Sequence, residues 1–516
     1  MSTGLSTIDW GVVGLYFAFV ALIGLYVSRG QRSTRDYFLG GRSLPWWAAA
    51  LSIIATETSA VTYIGTPAKS YSEDWSFLQL VLGFVLGRLF LAFFFVPAFY
   101  RKEFVTVYAY LENRFGNGAR VVAAILFLLG RVVASGVRLY AACVALHVAT
   151  GLPIRLSILA LGAFGTIYTL AGGIRSVVWT DVLLGLTFMA GGLVSALYLV
   201  SEIPGGLQGI LGSPLLAQKA SIIHTGGSFA DESTLQAGLL GGFVLTLATH
   251  GTDQDIVQRV LTCRNSRSGS LSLVASAVLI LPLMALFLAV GTLLYFFYQS
   301  HAPSYNLPAN KDHLFPVFIV NELPGGFRGL VMAGLLAASI SSFASVLNAL
   351  ASTTITDFYQ PFKQWAGGAP SEPHLLRVSR VATFFWGLVV VVMAILFEGS
   401  SENIVDIALR ALTYFYGALL GAFLLGIFTR RGSNASVVAG MLISVPGVLL
   451  LQGRQYLASP SSAPFSVQAF LDGLSPSVTQ TILQVVPDIA WPYWIILGTL
   501  VTLSLGVLGS RRFVVR

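Results

Sequence analysis

Long apolar stretches alternate with short polar ones along almost the whole chain. Windows centred on 9–28, 44–66, 75–98, 120–148, 155–171, 178–200, 235–258, 269–298, 325–357, 375–397, 403–428, 435–452 and 490–510 match the length needed to cross a bilayer as a helix. The pattern predicts an all-α integral membrane protein with about thirteen transmembrane helices.

Two of these windows are interrupted. LSIIATETSAVTYIG, residues 51–65, begins as a lipid-compatible helix and then places Thr56, Glu57, Thr58 and Ser59 in a row. Each helical residue turns about 100°, so four successive polar side chains cannot share one face. Unwinding inside a protein-lined cavity avoids presenting some of them to lipid. TLATHGTDQDIVQR, residues 246–259, repeats the theme with Thr249, His250, Gly251, Thr252, Asp253 and Gln254. The interrupted spans are the second and the seventh. Five plus five helices in inverted repeat, each half opening on a broken helix, is a known transporter plan. Hydropathy alone supports that repeat here. It divides the chain into a peripheral helix and inner loop (1–43), a first five-helix repeat (44–200), an external loop (201–234), a second repeat (235–428) and two peripheral helices with an external loop (429–516).

The ninth window, AGLLAASISSFASVLNALASTTITDFY (333–359), is rich in small residues, with Ala338, Ser341, Ser342 and Ser345 on one helix stripe. Such a stripe serves either as a packing seam or as a set of oxygen ligands for a hard cation.

Composition agrees with a membrane protein: of 516 residues, 55% are hydrophobic and only 10% charged, and the mean hydropathy is +0.78, against about 25% charged in soluble domains. The net charge of +8 suggests topology rather than nucleic acid. With the N-terminus outside, inner loops hold about 20 Lys/Arg and outer loops about 5. The inner set includes Arg29, Arg32, Arg35, Arg42, Arg101, Lys102, Arg114, Arg120, Arg259, Arg264, Arg267, Arg511, Arg512 and Arg516. The outer set is Lys69, Arg155, Lys219, Lys311 and Arg454. This predicts a multi-pass protein of the cell membrane, plasma or inner, with its C-terminus cytoplasmic and its basic residues against lipid headgroups. The first 28 residues lack a basic n-region, which suits an uncleaved first helix. Cys143 and Cys263 suggest neither a disulfide nor a metal site. The connections 201–234, 299–324 and 453–489 are expected outside as small helices or lids.

Charged residues within spans must pair or reach water. Arg131 and Arg138, one heptad apart in the fourth span, are either salt-bridge partners or a clamp for a solute carboxylate or phosphate. Asp181 is either an arginine's partner or a cation ligand. Asp253 and Asp255, beside Arg259, read as ordinary inner-surface ion pairs. The histidines form no HxxE, HExxH or GxSxG constellation and no Walker motif is present, so neither an enzyme nor an ATP-driven pump is expected.

GGIRSVVWTDVLLG (172–185), GTDQDIVQR (251–259), SISSFASVLNALAS with TDFY (339–359) and YFLGGRSLPWW (37–47) resemble the sodium/solute symporter family from about residue 9 to 428. The resemblance implies a LeuT-type fold and Na⁺-coupled import of a small organic solute, with Na⁺ as the coupling ion and no organic cofactor. It places sodium on the carbonyls of Ala55, Thr58 and Ala338 and on Ser341 and Ser342. Asp181 and Ser345 match a second sodium site of some relatives, although Ala344 replaces a hydroxyl there. Solute positions fall on Glu57, Ser59, Thr62, Trp75, Gln79, Arg131, Thr249 and His250. Glu57 and Arg131 either pair with one another or both face solute. Val61 and Thr62 stand where sugar-transporting relatives carry amide and acidic residues, which argues against a typical hexose. A single chain holding both repeats suggests a monomeric unit. Proton coupling through Glu57 or Asp181, and a transporter-like sensor or channel, are the competing readings.

Overall fold

The computed structural model describes residues 4–27, 40–101, 104, 106–171, 174–368, 370–398, 403–460, 467, 471 and 473–509. Arg29, Arg32, Arg35, Lys102, Arg511, Arg512 and Arg516, together with Gly172, Gly173 and residues 37–39 of the family motifs, lie outside them.

The described residues are helical and form no sheet. The main helices are α1 (Thr7–Val27), α2 (Trp46–Glu57), α3 (Val61–Ser72), α4 (Phe77–Tyr100), α5 (Tyr108–Phe115), α6 (Asn117–Thr150), α7 (Ile154–Ala171) and α8 (Ile174–Glu202). They continue as α9 (Leu235–Gly251), α10 (Gln254–Leu261), α11 (Ser266–Ser300), α12 (Phe327–Thr353), α13 (Glu372–Leu396), α14 (Ile404–Phe428), α15 (Asn434–Ala458) and α16 (Trp494–Leu508). Among the described residues, ten helices are long and apolar enough to cross a membrane, or up to 11 if the bent pair α2–α3 is one span. Helices are the natural solution in lipid, where every backbone polar group must be satisfied internally. The long connections carry short helices: Gly206–Leu211, Pro214–Lys219, Leu314–Asn321 and Pro476–Val485.

Both interruptions read from the sequence are real breaks. α2 and α3 meet at 62°. The hydroxyls of Thr56 and Thr58 turn back to the carbonyls of Ser52 and Ile54, at 2.8 and 2.6 Å, an arrangement that weakens a helix. Thr58 then leaves helical geometry at φ −81, ψ 102. The chain re-enters through a wide turn at Val61–Gly65. Pro67 follows it; with no N–H and a ring that crowds the carbonyl four residues back, it favours such a widened turn. In the seventh span α9 ends at Gly251, and Asp253 starts α10 as its N-cap, its carboxylate accepting from Asp255 N at 2.8 Å.

α12 is the central element, since 94% of its most apolar window is buried, against 22% for α1. It packs on α1, α2, α6, α7, α8, α10 and α13. α4 and α9 approach so closely that glycine is required: a Cβ on Gly242 would stand 2.2 Å from the Leu80 carbonyl oxygen. This is the small-residue packing that membrane helices use where water supplies no hydrophobic drive.

Candidate functional site

The two breaks face a common cavity. Its wall takes Glu57, Ser59, Thr62 and Thr66 from the α2–α3 break, Phe77 and Phe84 from α4, Arg131 and Arg138 from α6, and Thr246, Thr249 and His250 from α9. Val405, Ala408, Leu409 and Leu412 of α14 close the other side. Mostly apolar walls with a few converging polar groups are what a small-molecule site needs.

Six of the eight solute positions expected from the sequence line this cavity: Glu57, Ser59, Thr62, Arg131, Thr249 and His250. Trp75 and Gln79 are elsewhere. Trp75 donates through its indole N–H to Thr292 Oγ1 at 2.9 Å and through its backbone to Ser221 O at 3.0 Å. Gln79 donates to Ser233 O at 2.7 Å and lines a second cavity with Lys69, Glu73, Glu232 and Asp406. Both residues pin the 201–234 connection, whose polar backbone needs partners. Phe77 belongs to both cavity walls.

The charges behind the cavity are arranged differently from the sequence expectation. Glu57 does not pair with Arg131. It pairs with Arg88 of α4, and His250 Nε2 stands 3.7 Å from the same carboxylate oxygen. Arg88 also donates to Ser276 O at 2.9 Å. Arg131 is not free for solute: it holds Asp253 at 2.9 Å and pairs with Asp255. Asp253 and Asp255 are not surface ion pairs, being 0% and 1% exposed. The break turns them inward, and there an unpaired carboxylate would be costly. Tyr416 donates to Asp253 at 2.7 Å, and Arg259 to Asp255 at 2.6 Å.

Arg259 extends this network toward α12. It bonds Asp181 at 3.2 Å and Ser52 Oγ at 2.9 Å, and donates to Ser345 Oγ. Ser52 in turn donates to Asp181 at 2.5 Å and Ser345 to Asp255 at 2.5 Å, and Ser341 also donates to Asp181. Asp181 and Ser345, the pair matching a second sodium site, are therefore bridged by a guanidinium. Of the two roles open to Asp181, arginine partner is the one this geometry has.

The expected sodium ligands lie on two helices in contact, α2 and α12. Ala55 and Thr58 occupy the carbonyl end of α2, where no further turn supplies N–H groups. On α12, Ser342 Oγ is buried without a hydrogen-bond partner among the described residues. A buried orphan hydroxyl on a helix packed against one whose last carbonyls lack helical donors suits a cation that binds oxygen. Ser341, by contrast, already serves Asp181.

The sequence reading gave no role to Arg88, Ser52 or Tyr416. A lone arginine inside the apolar window 75–98 was the available signal, because such a charge requires a partner. Arg138 is half-buried, lines the cavity, and donates to Thr56 O at 2.9 Å. It has no carboxylate within 4 Å among the described residues.

Known proteins resemble this chain along most of its length. A sodium/sialic acid symporter, SiaT of Proteus mirabilis (strain HI4320), is 31% identical over 447 residues, covering 86% of this chain and 89% of that protein. A sodium/glucose cotransporter of Vibrio parahaemolyticus is 30% identical over 497 residues, covering 90% and 88%. The solved substrate-bound, outward-open state of a Na⁺-coupled sialic acid symporter superposes with a TM-score of 0.82 at 26% identity, covering 98% of this chain and 100% of that one. The sequence model of the sodium:solute symporter family matches residues 37–444, and the chain belongs to that family, whose members move solutes across membranes coupled to Na⁺.

Proposed function

We propose that this chain imports a small carboxylated solute together with Na⁺ by alternating access between the two sides of a cell membrane. Na⁺ sits on Ala55, Thr58, Ala338, Ser341 and Ser342. The orphaned Ser342 hydroxyl, on a helix that packs against α2, supports this assignment. Solute occupies the cavity beside Ser59, Thr62, Thr249 and His250. Its carboxylate goes to Arg138, the cavity arginine without an acidic partner, rather than to the engaged Arg131.

In this reading α2–α3 and α9–α10 open the two halves of a LeuT-type inverted repeat, with α7 and the broken α9–α10 completing thirteen spans. The N-terminus is outside and the C-terminus cytoplasmic, and one chain is the functional unit. Glu57 and Asp181 are each held by an arginine, Arg88 and Arg259.

The test is uptake into proteoliposomes, with sialic acid as the first solute because of the named relatives. Accumulation should require an inward Na⁺ gradient. Uptake that ignores Na⁺ and follows ΔpH would overturn the sodium assignment. Uptake of a neutral hexose but of no organic acid would overturn the solute class.

A further inference from the structure

Arg138 touches both halves of the transport problem. One of its nitrogens bonds Thr56 O, between the carbonyls of Ala55 and Thr58, and the side chain also forms part of the solute cavity wall. We propose that Arg138 is the residue through which Na⁺ and solute promote each other's binding. This rests on the site assignment above.

The argument is electrostatic. The carbonyl end of a helix carries about half a negative charge and attracts cations. In the structure described here the cation at that end of α2 is the Arg138 guanidinium. Na⁺ arriving on the neighbouring carbonyls competes for the same negative end and repels the guanidinium. Arg138 then turns more readily to an anion in the cavity. An anion bound first draws Arg138 off Thr56 O and leaves the carbonyl end open to Na⁺. Each ligand removes the obstacle to the other, which is positive coupling and by linkage must be reciprocal.

The surrounding charges favour the same outcome. Arg88, Arg131, Arg138 and Arg259 face Glu57, Asp181, Asp253 and Asp255. These balance, so Na⁺ adds one positive charge and a monoanionic solute restores neutrality. Among the described residues Arg138 makes a single hydrogen bond, to a carbonyl, so replacing it orphans no buried acid there and the fold should tolerate the change.

The experiment is Na⁺ titration of the purified full-length protein by thermal shift, for wild type, Arg138→Met and Arg138→Lys, with and without sialic acid. Without solute, Arg138→Met should bind Na⁺ about tenfold more tightly, because a neighbouring cation has gone. Sialic acid should tighten Na⁺ binding to wild type and leave Arg138→Met unmoved, while Arg138→Lys retains part of the effect. An Arg138→Met protein with wild-type or weaker Na⁺ affinity would overturn the coupling role. A wild type with no Na⁺ response would instead overturn the site assignment itself, so the two failures are distinguishable.

Discussion

Glu57, the carboxylate that interrupts the second span, is held by Arg88 from α4, whose side chain is 0% exposed. The acid is thus neutralised by the protein before any solute arrives. Glu57→Gln should leave a buried guanidinium without its carboxylate, a defect of about 3–5 kcal/mol. Replacing both partners, Glu57→Gln with Arg88→Met, should cost less than the single change, because no charge is stranded. Thermal unfolding in detergent reads both, and a Glu57→Gln protein as stable as wild type would contradict the pairing.

Ten, or up to 11, of the thirteen expected spans and the two breaks were legible because they depend on local pattern: polar runs such as Thr56–Ser59 cannot be hidden on one helix face. The partners were not legible. Glu57 and Arg131 each signal a buried charge in need of company, whereas Asp253 and Asp255 read as surface pairs; burial and pairing are set by how α2, α4, α6 and α9–α10 cross in space. Several acids and several arginines admit many pairings, and one sequence does not choose among them. Trp75 and Gln79 show the complementary failure. They adjoin the broken span in sequence, yet the returning 201–234 connection claims their hydrogen bonds.

Ser341 and Ser342 are adjacent but differently committed. Ser342→Ala removes a hydroxyl that makes no hydrogen bond, so the fold should survive. The Na⁺ concentration for half-maximal uptake should rise roughly 10-fold or more, the scale of one bond to a charged group. Ser341→Ala should also lower thermal stability, since it takes a donor from Asp181. Unaltered sodium dependence in Ser342→Ala would remove that residue from the site.

Arg131 and Arg138 look equivalent in the sequence and should behave differently when neutralised. Arg131→Met takes a partner from both Asp253 and Asp255, which are buried at the α9–α10 break. A loss of several kcal/mol, about 3–5, is expected. Arg138→Met should be within about 1 kcal/mol of wild type, the worth of one hydrogen bond. Comparison of the two melting temperatures decides the matter, and equal losses would mean that the ion network is wrongly assigned.

Gly242 and Gly447 offer a paired test of helix packing. Alanine at Gly242 would bring its Cβ to 2.2 Å from the Leu80 backbone oxygen, so α4 and α9 must part. A cost of about 1–3 kcal/mol follows, with reduced yield of folded protein. Gly447 in α15 has nothing within 4 Å of an added Cβ. Alanine there should be neutral or slightly stabilising. Similar melting temperatures for the two variants would refute the close approach.

Asp312 lies in the connection before α12, where its carboxylate accepts from Ile404 N at 3.0 Å and from the Asn403 amide at 3.1 Å. Burial pushes its pKa from 3.8 up to about 7; Asp406 adds to the rise, while the Ile404 bond and Lys69 oppose it. Between these two values the folded chain holds a proton that the unfolded chain has released. Folding stability is therefore greatest at the acid end of the interval, falls as pH rises toward 7, and flattens above it. Asp312→Asn removes this titration while keeping the shape. Relative to that variant, wild type should lose on the order of 2–3 kcal/mol between pH 5 and pH 8. Melting temperatures at both pH values measure the difference, and parallel behaviour of the two proteins would show that Asp312 is ionised throughout.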